Sequence, residues 1–446
     1  MTSALFVLVT VLTGVWLISW LLQEDSQALR RQSSSSWEAP AQSSTGEVQQ
    51  SQADELPRRR ARRTKRHLTS AAGVTSDCQL NGVPRAGAIG VECKCDSGWT
   101  GPECGTLQLL PVDPLRVGLR ARGMSSWGGS VAWDEEHLEF VMFVSIFMGG
   151  CGLNSWTRNS AIARASSRTA DGPYTLQEIV KPHFAHSPQV VRGGAGWLLY
   201  HIGAGSNRSA EEVRGCIDGC TPRHTKWSDG LNLKVPIGVL EAPSARGPWR
   251  SHVIATCEDV PGCSAHGNDA NPAPAHMAVE ATAARGVQML WRTINRSSAG
   301  ESYIALAHAP SWEGPYAWDR RNLFPDYAHI HIEDAFLWRN GRGYHGLVHA
   351  DVERTEGPGI AGVHAWSRDG IHWSLSRTNA FGRMVRVRGR APWRLERRER
   401  PKLLFDESGR PTHLITSVQR RSKLCEKKSC EACDRTFTLV QPVGVV

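Results

Sequence analysis

The chain has 446 residues and a formal net charge of +9, and this length excludes a single ordinary domain. Its 43 glycines and 17 tryptophans, with few long apolar runs, favour an all-β protein built from tight hairpins. The positive charge is concentrated in two stretches, 57–66 and 383–402. Such stretches suit a nucleic acid or an anionic glycan, or they are a processing site and a solvated loop. We do not expect a nucleic-acid partner.

The N-terminus begins with an almost uninterrupted apolar run, Leu5–Leu22, which is about long enough to cross a bilayer. It lacks a basic n-region and a clear small-x-small cleavage site, so we expect a signal anchor over 1–22 rather than a cleaved signal peptide. Either way the remaining chain enters the secretory lumen, as a single-pass type II membrane protein or a secreted one. The even count of 12 cysteines and the acceptor triplets at Asn207 and Asn295 fit that compartment.

Residues 23–66 are predicted to form a disordered stalk. The segment up to Glu55 is rich in Ser, Gln and Ala and shows no hydrophobic period, so it lacks the apolar area that a core requires. The run PRRRARRTKR at 57–66 resembles dibasic convertase sites. Cleavage there would release the rest of the chain from the membrane, and the alternative is an uncleaved basic stalk.

Residues 77–105 form the next predicted unit. Cys93 and Cys95 are followed by eight residues and then Cys104, with two glycines in between. This spacing resembles the C-terminal half of an EGF-like domain, preceded here by Cys78 alone. The resemblance implies a truncated module with Cys78–Cys93 and Cys95–Cys104 pairs and Trp99 packed over the bridge. A unit this small needs disulfide bonds for stability. The resemblance implies that it is a spacer or a protein-binding module.

An internal repeat covers residues 106–446. Apolar hairpins recur five times, and four of them are followed by a short apolar strand and a glycine turn before an aromatic residue. The hairpins begin at Ser130, Ser187, Asn271, Glu333 and Arg400. Five four-stranded sheets of this kind predict a five-bladed β-propeller. Thr106–Val112 and Thr436–Val443 are expected to be strands that together complete the shared last blade.

The blade ending, a Ser followed shortly by Gly-Pro and an aromatic residue, resembles the five-bladed glycoside hydrolase clan that contains arabinanases and β-xylosidases. The resemblance covers residues 105–446 and implies three carboxylates: a base in blade one, a pKa-modulating Asp in blade three and an acid Glu opening blade four. Glu333 matches the acid, and Asp269 lies near the place of the modulating Asp. Inverting hydrolysis needs an acid and a base. The alternatives are a salt bridge from Glu333 to Arg400 or another arginine, and an Asx-type turn at Asp269.

Blade one departs from that clan. Where the clan carries an Asp-Pro pair, this chain has Gly128, Gly129 and Ser130, and residues 134–136 belong to the far turn. Either another carboxylate such as Asp269 activates the water, or the protein binds sugar without cleaving it. Asp334 follows Glu333 directly, and strand alternation predicts that only one of the two faces the channel.

Polar and aromatic residues at the blade starts are candidates for substrate binding. Trp127 and Trp156 flank the glycine-rich start of blade one, so we expect them to be sugar-stacking platforms. The predicted polar contacts are His186, His266, Asn268, Asn271, Asp334 and Arg400.

His329, His331 and Glu333 alternate and would project from one face of a strand, where they could hold a divalent metal. The alternative is a set of neutral histidines that bind sugar hydroxyls, or a lone channel ion. No other cofactor is predicted.

The other cysteines are expected to form disulfides. Cys425, Cys430 and Cys433 resemble half a zinc site, but no second pair lies nearby and the lumen is oxidising. Local staples are predicted at Cys216–Cys220 and Cys257–Cys263, which leaves Cys151 for the C-terminal group.

These patterns favour a carbohydrate-active, glycoside hydrolase-like protein of the secretory pathway that acts on extracellular or surface glycans. One alternative is a non-catalytic ectodomain that binds glycans or proteins. The anchor and stalk favour another, a Golgi enzyme of glycan assembly.

Overall fold

The computed structural model describes residues 77–87, 90–193, 196–205, 237–256, 258–260, 272–276, 286–294, 302–353, 361–420 and 435–444. These ranges belong to one compact unit, Thr69–Val446. The predicted anchor and stalk lie outside them. Within the described ranges, no helix has the length and apolar character needed to span a membrane.

Five four-stranded antiparallel sheets account for most of the described residues. Blades one and two are β5 (Ser126–Asp134), β6 (Glu139–Phe147), β7 (Ser160–Ser167) and β8 (Thr175–Lys181), then β9 (Phe184–Gly193), β10 (Gly196–Gly205), β11 (Ile237–Ala242) and β12 (Arg250–Ala255). Blade three is β13 (Ala273–His276), β14 (Val287–Ile294), β15 (Ser302–Ala309) and β16 (Ala317–Trp318). Blade four is β17 (Glu333–Asn340), β18 (Gly343–His349), β19 (Gly362–Ser367) and β20 (Ser374–Phe381). Blade five is β21 (Met384–Val387), β22 (Arg390–Phe405), β23 (Pro411–Arg420) and β24 (Thr436–Pro442).

The remaining elements are short. They are β1 (Gly82–Gly87), β2 (Gly90–Cys95), β3 (Trp99–Thr100), β4 (Thr106–Leu107), the helix α1 (Trp156–Asn159) and the 3₁₀ turns Cys78–Leu80, Met148–Gly150, Leu153–Ser155 and Pro325–Tyr327.

Burial falls from the inside of a blade to its outside. In blade one, β6 is buried from Val141 to Phe147, whereas β8 is exposed over most of its length. The two faces of β6 pack against different neighbours, since Val141 and Phe143 lie in a cluster with blade two, while Met142 and Val144 lie in one with blade five. A strand buried on both faces is a near-continuous apolar run, as EFVMFVSIF is. The predicted five-bladed propeller is therefore present.

The ring closes through the N-terminal end of the propeller. The Leu119 amide donates to the Thr438 carbonyl at 2.9 Å, and the Leu110 amide donates to the Pro442 carbonyl at 2.9 Å. Segment 109–119 thus lines the outer strand of blade five, so both chain ends contribute to the last blade as predicted. The difference lies at Thr106–Leu107, which pairs with Trp99–Thr100 instead.

The small module at 77–105 contains both predicted disulfides, Cys78–Cys93 and Cys95–Cys104. It packs directly on blade four, because Trp99 is 4% exposed and stacks against Trp338 with ring centroids 6.3 Å apart. Arg342 of blade four donates to the Leu80 and Gly82 carbonyls of the module, both at 2.9 Å. The module is thus joined to the propeller by a buried aromatic contact and by hydrogen bonds.

The other predicted disulfides concern residues outside the described ranges. Cys151 is disulfide-bonded, and Cys425, Cys430 and Cys433, which were predicted to pair with it, lie outside those ranges. The predicted pairs Cys216–Cys220 and Cys257–Cys263 lie outside them as well, as do the acceptor residues Asn207 and Asn295.

Candidate functional site

In four blades, the innermost strand carries near its start a residue in the left-handed backbone conformation. Gly128, Ser187, Asp334 and Arg400 have φ of 64°, 52°, 56° and 58°. The strand pairing shifts beside each of them, which is the signature of a β-bulge. A bulge redirects a side chain relative to simple alternation, and here it does so near the start of the innermost strand of each of these blades. The blade-three start, including Asn271, lies outside the described residues.

Glu333 and Asp334 converge on one imidazole. His349 lies directly opposite Glu333 in the β17–β18 pairing. Its Nδ1 atom is 3.4 Å from Glu333 Oε1 and 3.6 Å from Asp334 Oδ2. Both carboxylates reach this ring because the bulge at Asp334 interrupts the strand alternation, although the Glu333 side chain is 18% exposed and that of Asp334 only 1%. The prediction that only one of the two faces the channel stays a prediction.

Glu333 is held as an anion by neighbours from two blades. Arg292 Nε of β14 is 3.1 Å from Glu333 Oε2, and His331 Nε2 is 3.3 Å from Oε1. Burial would raise the pKa of Glu333, but hydrogen bonds from His331 and His349 and the charge of Arg292 hold it well below its ordinary value. A salt bridge to an arginine was the alternative role for Glu333, and the arginine is Arg292 rather than Arg400.

Asp334 and Arg400 form a buried ion pair between blades four and five. Arg400 Nη1 lies 2.9 Å from Asp334 Oδ1, and the Arg400 amide donates to Oδ2 at 3.3 Å. Asp334 is only 4% exposed. Burial alone would lower the pKa of His349, but its hydrogen bonds to Asp334 and Glu333 raise it to about 10. These contacts give Asp334 and Arg400 a positioning role at the base of the site.

Glu399 completes the cluster from the neighbouring blade. It lies immediately before the bulge in β22, is 7% exposed, and accepts from Arg397 Nη1 at 3.1 Å. Burial raises the pKa of Glu399 against the lowering effect of His349 and Arg397, and the charges of Asp334 and Glu333 add to the rise. One atom from each of Glu333, Asp334, His349 and Glu399 lies within 4.8 Å of the others. The channel therefore contains two glutamates with opposite tendencies to hold a proton.

A buried lysine of blade five lies at the blade-one start, where the resembled clan has a carboxylate. Lys402 Nζ donates to the Gly128 carbonyl at 3.4 Å. Burial, with the charge of Arg400 adding to it, lowers the pKa of Lys402 to about 7. A Cβ atom on Gly128 would lie 2.8 Å from Ser187 Oγ. The local packing thus leaves little room for an aspartate at this position.

His186 lies beside Lys402 and Arg400 under an aromatic cover. Its Nδ1 is 2.8 Å from Ser160 Oγ, and the Trp156 ring centroid is 4.8 Å from its own. Burial and the charges of Arg400 and Lys402 hold the pKa of His186 well below its ordinary value, so it is neutral near pH 7. Trp156 is partly exposed, which is compatible with its predicted role as a platform.

Trp127 does not fit its predicted role as a sugar platform. It is 1% exposed and packs in a core cluster with Phe147, Cys151 and Leu153. The glycine-rich sequence around it belongs to a bulge rather than to an open surface, so the ring faces inward. Trp127 stabilises the base of blade one.

The two histidines predicted to bind a metal, His329 and His331, lie in different surroundings. β17 begins at Glu333, so His329 and His331 precede the strand and do not share its face. His329 is exposed on a turn, whereas His331 contacts Glu333 and Ser302 Oγ. Among the described residues, the cluster of Glu333, Asp334, Glu399 and His349 has the better donor set for a divalent cation. All three of these carboxylates already pair with arginines.

Asp269, His266, Asn268 and Asn271 lie outside the described residues, so their predicted roles remain predictions. Sequence reasoning missed Arg292, His349, Glu399 and Lys402 as site residues. Arg292 and His349 stand near the ends of second strands, which return to the channel side of a blade. That position is the signal from which Arg292 and His349 could have been predicted as site residues. For Glu399 the signal is its place at a blade start.

No protein-family model matches the chain, and no curated protein matches it. Solved structures with a similar fold include a family 117 glycoside hydrolase from the marine bacterium Zobellia galactanivorans, at 11% identity and TM-score 0.47 over 78% of this chain and 92% of that one. Another is an α-L-arabinofuranosidase from Lactobacillus brevis, at 11% identity and TM-score 0.44 over 74% and 92%. A third is an endo-arabinase from Bacteroides thetaiotaomicron, at 11% identity and TM-score 0.43 over 76% and 98%. The chain is a five-bladed propeller whose structural neighbours include glycoside hydrolases.

Proposed function

We propose that this protein is a glycoside hydrolase-like enzyme in which Glu399 and Glu333 are the reacting carboxylates. The proposal rests on one observation, the close approach of two glutamates whose surroundings push their pKa values in opposite directions. Environments that separate two carboxylates in this way assign acid and base roles. This assignment differs from the sequence-based one, because burial raises the pKa of Glu399 and makes it a better proton donor than Glu333, whose pKa is lowered.

In the proposed reaction, Glu399 gives its proton to the glycosidic oxygen as the bond from that oxygen to the anomeric carbon breaks. Glu333 attacks the anomeric carbon and forms a glycosyl ester. Glu399, now ionised, takes a proton from water, and the water oxygen displaces Glu333. Retaining enzymes hold their carboxyl groups about 5–5.5 Å apart and inverting ones about 6.5–9.5 Å. One oxygen of each glutamate lies within 4.8 Å of one oxygen of the other, an approach that favours retention over the inversion expected from the resemblance.

The substrate is proposed to be an extracellular or surface glycan. The disulfides of the described residues support an oxidising compartment. The signal anchor at 1–22 and release by cleavage near 58–66 remain part of this proposal. Asp269 remains a proposed supporting carboxylate.

Hydrolysis of a panel of aryl glycosides and polysaccharides by the full chain tests the proposal. We expect Glu399→Gln and Glu333→Gln each to lower kcat/KM by at least about 100-fold, since an acid or base contributes about 10²–10⁴-fold. The matched control is Glu407→Gln, an exposed carboxylate in the turn that follows the same strand, which should leave the rate within twofold. The anomer released first, followed by NMR, separates retention from inversion. A wild-type protein that binds glycans without turnover would instead support the non-catalytic alternative.

The pH profile gives a further check on the same roles. Because the pKa of Glu399 is raised and that of Glu333 is lowered, kcat/KM should fall as the pH rises through the first and as it falls through the second. The Glu407→Gln variant should keep both limbs. A kcat/KM that falls neither at high nor at low pH would contradict the assignment.

A further inference from the structure

Within the basic stretch at 383–402, residues 384–397 form a hairpin with one buried face. Met384 pairs with Arg394 and Val387 with Arg390, so β21 and the start of β22 are antiparallel. Val385, Val387, Trp393 and Leu395 point into a core cluster with β23 and β24. The hairpin is therefore fixed to blade five rather than free in solvent.

The opposite side of the hairpin is exposed and basic. Its exposed arginines are Arg386, Arg388, Arg390, Arg394 and Arg397. Residues 384–397 contain a single acidic residue, Glu396. Arg388 has a long contact to Asp113, at 3.8 Å, and an exposed pair of that kind is worth little. A row of guanidinium groups is thus held on a fixed β-ribbon.

This ribbon leads into the candidate site. β22 is one strand of 16 residues, and it carries Arg390 and Arg394 at one end and Glu399 and Arg400 further along. Arg397 joins the two parts, since it is exposed on the ribbon and contacts Glu399. A chain bound along the arginines would therefore run toward the glutamates.

We propose that the exposed arginines of this ribbon bind an anionic polysaccharide, through its sulfate or carboxylate groups, and direct it to the channel. Guanidinium groups pair with such anions through two parallel hydrogen bonds. A single-stranded nucleic acid would need aromatic platforms for its bases, but the one aromatic residue of the ribbon, Trp393, is 9% exposed and faces the core. The choice of a glycan as occupant rests on the proposed function, whereas the anion-binding surface does not.

Binding of the full-length chain to immobilised dextran sulfate, polygalacturonate and neutral dextran tests this inference. We expect binding to the two anionic polymers that weakens steeply with added salt, and a preference between them identifies the sulfate or the carboxylate. The double variant Arg390→Gln/Arg394→Gln should bind at least tenfold more weakly. The matched control Arg320→Gln/Arg368→Gln removes the same charge from exposed arginines of other blades and should stay within twofold of wild type.

The basic run at 57–66 is present in every variant, so it cannot produce a difference between them. Equal binding by the ribbon variant and the wild type would overturn the inference, as would equal binding to neutral dextran. Tighter binding to a single-stranded oligonucleotide than to either anionic polymer would also overturn it. Glu399→Gln should lower hydrolysis but retain binding to the anionic polymers. Wild-type protein that binds these polymers without hydrolysing any glycan would contradict the proposed function alone, whereas a ribbon variant that binds as tightly as wild type would contradict this inference alone.

Discussion

Asp334 shows how one backbone angle decides which side chains meet. Its φ of 56° breaks the alternation of β17 and brings it beside Glu333 at His349. Arg400 adopts a similar angle in the next blade and pairs with it. A left-handed conformation costs roughly 1–2 kcal/mol for a residue with a side chain, and the paired strands on either side of each bulge hold both residues in it.

Removing the charge of Asp334 should therefore be costly. Asp334→Asn leaves the guanidinium of Arg400 buried beside a neutral amide, and breaking a buried pair costs about 3–5 kcal/mol. We expect a loss of that size in the free energy of unfolding by denaturant. Asp406→Asn, which removes the partner of the more exposed Arg410, should cost less than about 1 kcal/mol. Equal losses would contradict the buried role of Asp334.

The sequence predicted the blade starts but not every partner at them. Glu333, His186 and Arg400 were located because each opens a hairpin repeat. Arg292 and His349 were missed because they lie at returning strand ends, and only the pairing register shows that His349 faces Glu333. Trp127 was misassigned since glycine neighbours can indicate either an open surface or a bulge. Protonation roles depend on burial and neighbouring charges, which a single sequence does not provide.

At the scale of elements, the small disulfide module behaves as part of blade four. Asp77 accepts from Trp366 Nε1 at 3.0 Å, and Asn81 lies within 3.2 Å of a His364 ring nitrogen. Cys78, Trp99 and Cys104 share a core cluster with blades four and five. The cysteine spacing predicted the disulfides, but the docking depends on long-range contacts that no local motif records.

The substitution Trp99→Ala tests this union. A buried tryptophan exchanged for alanine costs about 3–5 kcal/mol, and we expect the loss to appear in one cooperative transition of the whole unit. Trp133→Ala removes a tryptophan that is 38% exposed and should cost clearly less. Calorimetry measures both. A separate early transition for the module, with the main transition unchanged, would show that it is independent of the propeller.

At the scale of the whole molecule, the ring depends on the seam between segment 109–119 and β24. Leu119 and Thr438 exchange two backbone hydrogen bonds there. Gly118 has a φ of 84°, and a Cβ atom at this residue would collide with the Thr438 carbonyl oxygen. The repeat count predicted closure, while the register of the seam could not be derived from the repeats.

Gly118→Ala should therefore open or strain the ring. Gly123→Ala is its matched control, since Gly123 has a φ of 77° but a Cβ atom there meets nothing within 4 Å. The control carries only the backbone penalty, roughly 1 kcal/mol. We expect Gly118→Ala to lower the unfolding midpoint several times further than Gly123→Ala does. Similar midpoints for the two variants would mean that the seam tolerates displacement.

The ring of left-handed residues also bears on how such a protein can change its specificity. Four described blades hold Gly, Ser, Asp and Arg in nearly the same backbone conformation, which the paired flanking strands impose. Asp334 and Arg400 pair with each other across blades four and five, and a Cβ atom on Gly128 would meet Ser187 of the next blade. Exchange at one of these positions therefore requires a compatible residue in the neighbouring blade, so divergence toward a new ligand would proceed by paired changes between adjacent blades.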